Sequence, residues 1–481
     1  MVDFLKIFNS LGREKQNFIP LINGKVSIYV CGMTVYDYCH LGHARVMVFF
    51  DVVRRWFEAS GFEVKYVRNI TDIDDKIIAR SLKEKVSIRA LTEKFIYEMR
   101  KDARSLGVMD PMHEPRATEY VAQMLDMIKK LESLGYAYES DGDVNFSVRK
   151  MKTYGKLSGK SIDELRVGER VSVGHSKKDP LDFVLWKKSK PGEPEEASWN
   201  SPYGSGRPGW HIECSAMSNE LLGPRFDIHG GGIDLQFPHH ENEIAQSEGA
   251  NGCKEGEHLI KTWMHVGFVT VENEKMSKSL GNFSTIRDIL RKNDPETVRY
   301  FLLKGHYRSP INFSLDQVRN AKNSLKSLHS ILEVAGEHNE LSESEQKKYI
   351  NVAMSSDNYF ACEFRNAIKD DFNTPKAISV LFSFASKIKD QIKYKQNNQV
   401  AIFRGLGLTL GFFSKPMNQE INWSINSNLK ISEDVINEFI SQRLQAKNNK
   451  DFDKADEIRN TLRSQGIMLE DGVDGTKWRR C

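Results

Sequence analysis

The chain has 481 residues, 40% of them apolar and 28% charged, which excludes collagen, a disordered polyelectrolyte and a membrane bundle and leaves room for about three domains. Its 69 Lys and Arg against 65 Asp and Glu leave a formal charge of +4, which excludes a histone-like polycation but not an RNA ligand bound by local patches. Mean hydropathy is −0.50, no run of about 18 apolar residues occurs, the first residues lack the pattern of a signal peptide, and six scattered cysteines without a CxxC pair point to a reducing cytoplasm rather than a disulfide scaffold.

Taken in chain order, Val26–Val30 reads as a β-branched strand after the turn signal Asn23-Gly24. The spacing predicts a helix from about Leu41 to Ser60, stopped by Gly61, and a second strand over Glu63–Arg68. Strand–helix–strand at this length implies a parallel pair, with ligands beyond the carboxyl ends of the strands. There lie Cys31–His43 and Asn69–Lys76. Val121–Leu134 has helical spacing, and Ser140-Asp141-Gly142-Asp143 predicts a hairpin between Tyr136–Glu139 and Val144–Val148. From there to about Trp199 the chain reads as polar and irregular, an insertion between two halves of a nucleotide-binding fold. Phe226–His229 and Thr262–Val271 read as strands. Beyond Asp316 the chain reads as mostly helical, broken at Ser342–Lys348 and Gln396–Gln399, with a charged helix over Ser441–Ser464 closed by Gly466.

Two motifs carry chemistry. His40-Leu41-Gly42-His43 lies between a strand end and a helix start, where imidazoles, backbone N–H groups and the helix dipole suit a polyphosphate. A helix-capping loop with surface histidines is the bland alternative. Lys275-Met276-Ser277-Lys278-Ser279 places two lysines three apart before Gly281, able to clamp phosphate oxygens whose charge grows in a transition state. The pair of motifs resembles the class I aminoacyl-tRNA synthetases. Tyr29–Asp37, Gly206–Ser215 and Gly230–Glu243 narrow the likeness to the cysteinyl-tRNA synthetase family. The similarity runs from about Cys31 through the lysine motif and recurs in Ala446–Arg479. The first motif reads HLGH where the family more often has HIGH, an exchange of one packed aliphatic for another.

The resemblance implies an α/β fold: a Rossmann-like parallel-sheet catalytic domain with an insertion, a helical bundle and a small C-terminal domain. It divides the chain at 1–125 and 205–270 for the two catalytic halves, 126–204 for the insertion, 271–320 for the junction bearing the lysine motif, 321–425 for the bundle and 426–481 for the anticodon-recognition end. It implies one Zn²⁺ per chain held by Cys31, Cys214, His239 and Glu243, a tetrahedral N/O/S₂ set. Without the likeness, a scattered cysteine is more often a buried small hydrophobe. His239 and Glu243, four apart after Pro238, would share one helix face. ATP, with Mg²⁺, falls to His40, Gly42, His43, Asp234, Lys275 and Lys278; cysteine to Gly32, Thr71 and Trp210; and the anticodon to Trp478 and Arg479. The alternative for Trp210 is core packing, for Trp478 a packed tryptophan, and for Asp72, Asp74 and Asp75 a helix start. The implied partners are tRNA-Cys, L-cysteine and ATP, with no membrane, for a cytoplasmic monomer. Zinc that binds the substrate thiolate would solve a problem of selection, because shape alone separates near-isosteres by only about 1–3 kcal/mol.

Two rivals stand beside this reading. One is a ligase of the same family that passes activated cysteine to a small amine; such relatives lack the RNA-binding end. The other is a zinc-stabilised RNA-binding protein without catalysis, which His40, His43, Lys275 and Lys278 oppose.

Overall fold

The first βαβ unit forms where the apolar spacing places it. The hairpin β1 (Lys6–Asn9) and β2 (Glu14–Asn17) precedes β3 (Lys25–Val30), helix α1 (Leu41–Ala59) and β4 (Glu63–Arg68). β3 and β4 pair in parallel. α1 buries Leu41, Ala44, Met47, Val48 and Phe50, and packs against β4. The computed structural model describes residues 5–161, 164, 177–254, 256–271, 274–275, 284–391, 397–417, 433–449, 451–464, 467–472 and 475–480.

α2 (Asp75–Glu84) and α3 (Ile88–Ser105) follow. Asp74 caps α2 by accepting a bond from Lys76 N at 2.7 Å, and Asp72 accepts two from Thr118. The acidic run is therefore a helix start and a loop anchor. After α4 (Val121–Ser133), the predicted hairpin appears as β5 (Ala137–Ser140) and β6 (Asp143–Phe146). The insertion is more regular than its polar sequence implies. β7 (Phe183–Lys188) and β8 (Gly206–Pro208) extend the hairpin into a four-stranded antiparallel sheet. Phe146 and Phe183 stack across it with centroids 4.9 Å apart, so alternate apolar positions form its buried face.

The chain then returns to the first sheet. α5 (Trp210–Leu222) precedes β9 (Phe226–Gly232), and α6 (Glu241–Ala250) precedes β10 (Ile260–Val266). The parallel order is β10-β9-β3-β4. The winding direction reverses between β3 and β9, and a crevice opens there beyond the strand ends. The strand expected over Thr262–Val271 is broken at Gly267-Phe268. β11 (Val269–Val271) leaves the parallel sheet to pair with β12 (Glu274–Lys275).

α7 (Ile286–Leu290) and α8 (Pro295–Leu303) lead to β13 (Ile311–Phe313), the second neighbour of β11. Helices α9 (Leu315–Ala335), α10 (Glu343–Met354), α11 (Tyr359–Lys369), α12 (Thr374–Gln391) and α13 (Asn397–Thr409) form the bundle. The stretch read as a break at Ser342–Lys348 is a helix start. Ser342 and Glu345 bond reciprocally as a capping box. Likewise α13 already begins at Asn397. The tail holds two helices instead of one, α14 (Glu433–Asn448) and α15 (Phe452–Ser464), because Asp451 accepts from Lys454 N at 3.1 Å and caps a new helix. β14 (Ile467–Gly472) and β15 (Gly475–Arg480) close it as a hairpin. Gly466 lies outside the described residues.

One apolar core runs from Ile7 to Met417 through the parallel sheet and the bundle alike, while Ile436, Phe439, Ile458, Leu462 and Ile467 make a separate small core in the tail. Among the described residues no helix is long and apolar enough to cross a membrane.

Candidate active site and metal centre

The crevice is a cleft of about 540 Å³ lined by Cys31, Gly32, His40, Gly42, His43, Trp210, Asp234 and Gly267, among others. His40 is the N-cap of α1, its Nδ1 accepting from Gly42 N at 3.0 Å, while His43 Nδ1 accepts from His40 N at 3.3 Å. The two rings lie 3.8 Å apart. The capping reading and the ligand-facing reading thus describe the same loop. Burial, and then His40, hold His43 well below the usual imidazole range, so it is neutral. Gly42 is required by the cap itself, since a Cβ there would stand 2.7 Å from His40 Cε1.

Cys31 follows β3, Cys214 stands in α5, and His239 and Glu243 flank the start of α6. Their ligand atoms lie within 4.8 Å of one another. Cys31, Cys214, His239 and Glu243 are 6%, 1%, 1% and 1% exposed. His239 Nε2 stands 3.1 Å from Glu243 Oε1, and Cys31 Sγ 3.3 Å from the same oxygen. The helix onset differs from expectation. Residues Gln236–His240 form a wide turn with Phe237 extended, and α6 begins only at Glu241. The four-residue spacing nonetheless brings both side chains to one place.

The chemistry of this set fits a soft dication. Burial drives the Cys31 thiol and the Glu243 carboxyl well above their usual ranges and raises the Cys214 thiol, because charge there lacks compensation. Glu243 Oε2 is buried without a hydrogen-bond partner, an atom that a cation would satisfy. Two sulfurs, one imidazole nitrogen and one carboxylate oxygen are a donor set that a tetrahedral zinc ion would accept. His239 keeps Nε2 for the cluster because its Nδ1 faces His211 Nδ1 at 2.9 Å, the kind of outer partner that orients a ligand.

Other predicted residues fall less uniformly. Trp210, 39% exposed, stacks on His239 at 4.3 Å. Gly32 N donates to Asn69 Oδ1 at 2.7 Å. Thr71 is buried, and its hydroxyl donates to Glu213 Oε2 at 2.8 Å, so it adjoins the cleft without lining it. Asp234 is exposed on the cleft wall. The backbone of Lys275 ends β12; its side chain and all of Lys278 lie outside the described residues. Trp478 packs against the tail core with Nε1 donating to Asn437 Oδ1 at 3.2 Å, and Arg479 pairs with Glu470 at 2.9 Å on the surface.

Sequence reasoning assigned no role to a second tier of buried histidines. His229 Nε2 stands 3.3 Å from both Cys31 Sγ and Glu243 Oε2, and His240 meets His265, which meets Ser10. Cys31, His229, His240 and Glu243 form a second set that could hold a metal ion. Burial lowers all three imidazoles, His265 to about 3. The available signal was the crowding of histidines into residues 206–266, since histidine is seldom fully buried.

A parallel sheet with a reversal of strand order, a histidine-capped helix at the crevice and a strand delivering the first lysine of the second motif describe a class I synthetase catalytic domain. Residues 17–323 match the family described as tRNA synthetases class I (C) catalytic domain, and residues 363–414 match the DALR domain. A methionyl-tRNA synthetase of Mycobacterium tuberculosis, solved with bound methionyl-adenylate, shares the fold with TM-score 0.55 at 13% identity, over 80% of this chain and 89% of that one. The chain is 54% identical to a cysteine–tRNA ligase of Dechloromonas aromatica (strain RCB), over 99% of this chain and all of that protein. It is 52% identical to one of Polynucleobacter asymbioticus, again over 99% and 100%. The chain belongs to the cysteine–tRNA ligase family.

Proposed function

We propose that the chain activates L-cysteine with ATP to cysteinyl-adenylate and transfers the cysteinyl group to the 3′ end of tRNA-Cys, with zinc held by Cys31, Cys214, His239 and Glu243 selecting the substrate thiolate. The observation that carries this reading is the buried thiol–imidazole–carboxylate cluster behind the cleft whose helix start presents His40 and His43. Bound zinc supplies a Lewis acid that favours a thiolate over the hydroxyl of serine at neutral pH.

The chain's own residues do the rest. Trp210, stacked on His239, covers the metal ligands from the cleft side, with Gly32 and Thr71 beside the amino acid. His40, Gly42 and His43 meet the phosphates of Mg²⁺-bound ATP at the positive end of α1. Asp234 accepts from the ribose or the amino group. Lys275 and Lys278 stabilise the leaving pyrophosphate. A cysteine carboxylate oxygen bonds to the α-phosphorus as the bond to the β-phosphate oxygen breaks. A ribose hydroxyl of the tRNA 3′ end then bonds to the adenylate carbonyl carbon, its proton is lost, and AMP leaves. Positioning and electrostatics suffice for the phosphorus step. Trp478 and Arg479 belong to the anticodon end, within residues 426–481.

The test is ATP–pyrophosphate exchange followed by charging of total tRNA. Exchange with cysteine and not serine is expected, then charging of the tRNA with a GCA anticodon. No exchange would overturn the reading. Exchange without charging would favour transfer to a small amine, against which the folded tail of α14, α15, β14 and β15 speaks. Trp210→Ala removes the ring over His239 and is expected to raise the cysteine KM about tenfold, leaving the ATP KM unchanged, the size of one lost aromatic stack of about 1–1.5 kcal/mol. Initial rates at varied cysteine and varied ATP measure both.

A further inference from the structure

Arg45 stands in α1, two residues after His43, and is 1% exposed. Among the described residues its guanidinium meets no carboxylate. Nη1 donates to Gly267 O and Phe268 O, each at 2.8 Å, and Nη2 donates to His306 O at 3.0 Å and Ser309 O at 2.6 Å. Burial alone draws its pKa down to about 10, so it stays charged at neutral pH. A cation in a dry interior is tolerated only where dipoles surround it, and four carbonyls supply them here.

Those carbonyls come from two segments that bear on the cleft. Gly267 and Phe268 are the break between β10 and β11, and both line the cleft. His306 and Ser309 belong to the turn before β13. The segments also bond to each other, Gly267 N to Tyr307 O at 2.8 Å and Ile311 N to Phe268 O at 2.9 Å. A Cβ on Gly267 would come within 2.7 Å of Arg308 O and 2.8 Å of Ser309 O, so glycine is what allows the two to close on the guanidinium. β11 leaves this junction and pairs with β12, which ends at Lys275. Arg45 itself does not line the cleft.

We propose that Arg45 is a positioning residue for cysteine activation: it sets the span between the histidine pair at the start of α1 and the strand that carries Lys275, and so the geometry in which both meet the phosphates of ATP. The inference rests on the reading of this cleft as the ATP site. Lysine is no substitute, because it donates from one point and cannot span four carbonyls on two segments.

The experiment compares the unsubstituted chain with Arg45→Lys and Arg45→Gln in pyrophosphate exchange, with rates expressed per folded molecule from far-UV circular dichroism and thermal melting. The kcat is expected to fall about 100-fold, the loss that a displacement of about 1 Å produces. The ATP KM should rise while the cysteine KM stays unchanged. A residue serving only stability would lower the melting temperature and leave both kcat and ATP KM of the folded fraction at their original values; that result overturns the proposal. Loss of fold in both variants overturns it as well. Absence of exchange in the unsubstituted chain would instead sink the cysteine-activation reading, so the two failures are distinguishable.

Discussion

Cys214→Ser is expected to lose most of its bound zinc and to raise the cysteine KM by about 100-fold or more, while keeping its fold. The replacement is near-isosteric at a position 1% exposed, so packing around α5 changes little. What changes is the donor. A serine hydroxyl is a hard, protonated oxygen where the site offers soft sulfur. Loss of an outer partner of a metal site already costs about 10–100-fold in affinity, and loss of a ligand costs no less. Cys31 and Glu243 would be left as buried groups facing one another at 3.3 Å, both held in their neutral forms by burial. Metal analysis of the purified variant decides the ligand assignment, and unchanged zinc would refute it. Circular dichroism shows whether the fold is retained.

The second large effect is on stability. Arg299 in α8 is 1% exposed, bonds Asp51 of α1, and donates from Nε to Leu410 O of the bundle at 2.7 Å and from Nη1 to Leu106 O at 3.2 Å. Asp51 also accepts from Arg55 at 2.7 Å and from Met109 N at 2.9 Å. Arg299→Met leaves that carboxylate buried with half its compensation, at a cost of about 3–5 kcal/mol. The midpoint of urea unfolding, followed by tryptophan fluorescence, measures it. Asp51→Asn added to Arg299→Met should recover part of the loss, because the uncompensated charge is gone; no recovery would show that the bonds to Leu410 and Leu106 dominate. The pH dependence has a definite sign. Burial raises the Asp51 pKa, but Arg55 and Arg299 outweigh it and hold the folded value below the usual carboxylate range. The stabilisation is therefore complete above the unfolded pKa of about 3.9 and disappears as pH falls through the folded value. The gap between the original chain and Arg299→Met should be full at pH 7 and shrink in acid.

Local elements were legible because local rules govern them. Val26–Val30, Glu63–Arg68 and the helix from Leu41 formed nearly as their spacing predicts. The insertion was misread because β7 gains its regularity from pairing with β6 and β8, partners that no window along the chain contains. Ser342 looked like a break but is a cap, and Asp451, read as the interior of one long helix, caps a second one, since one polar residue type both ends a run and starts a helix. Trp478 offered two readings, and the bond to Asn437 with the small core around it favours packing for the indole.

By itself the sequence determined the two motifs, the parallel βαβ start and, through its resemblance, the four metal-ligand candidates and the class of reaction. Only the tertiary structure decided that Cys31, Cys214, His239 and Glu243 meet within 4.8 Å, that a tier of neutral histidines lies beneath them, and that Arg45 and Arg299 tie the histidine helix to the junction and to the bundle. The physical reason is the same in each case. Helix and strand are dictated by neighbours a few positions away, whereas a ligand shell or a buried guanidinium is satisfied by groups from strands and turns hundreds of residues apart. Such groups meet only once the sheet, the junction and the bundle have packed against α1.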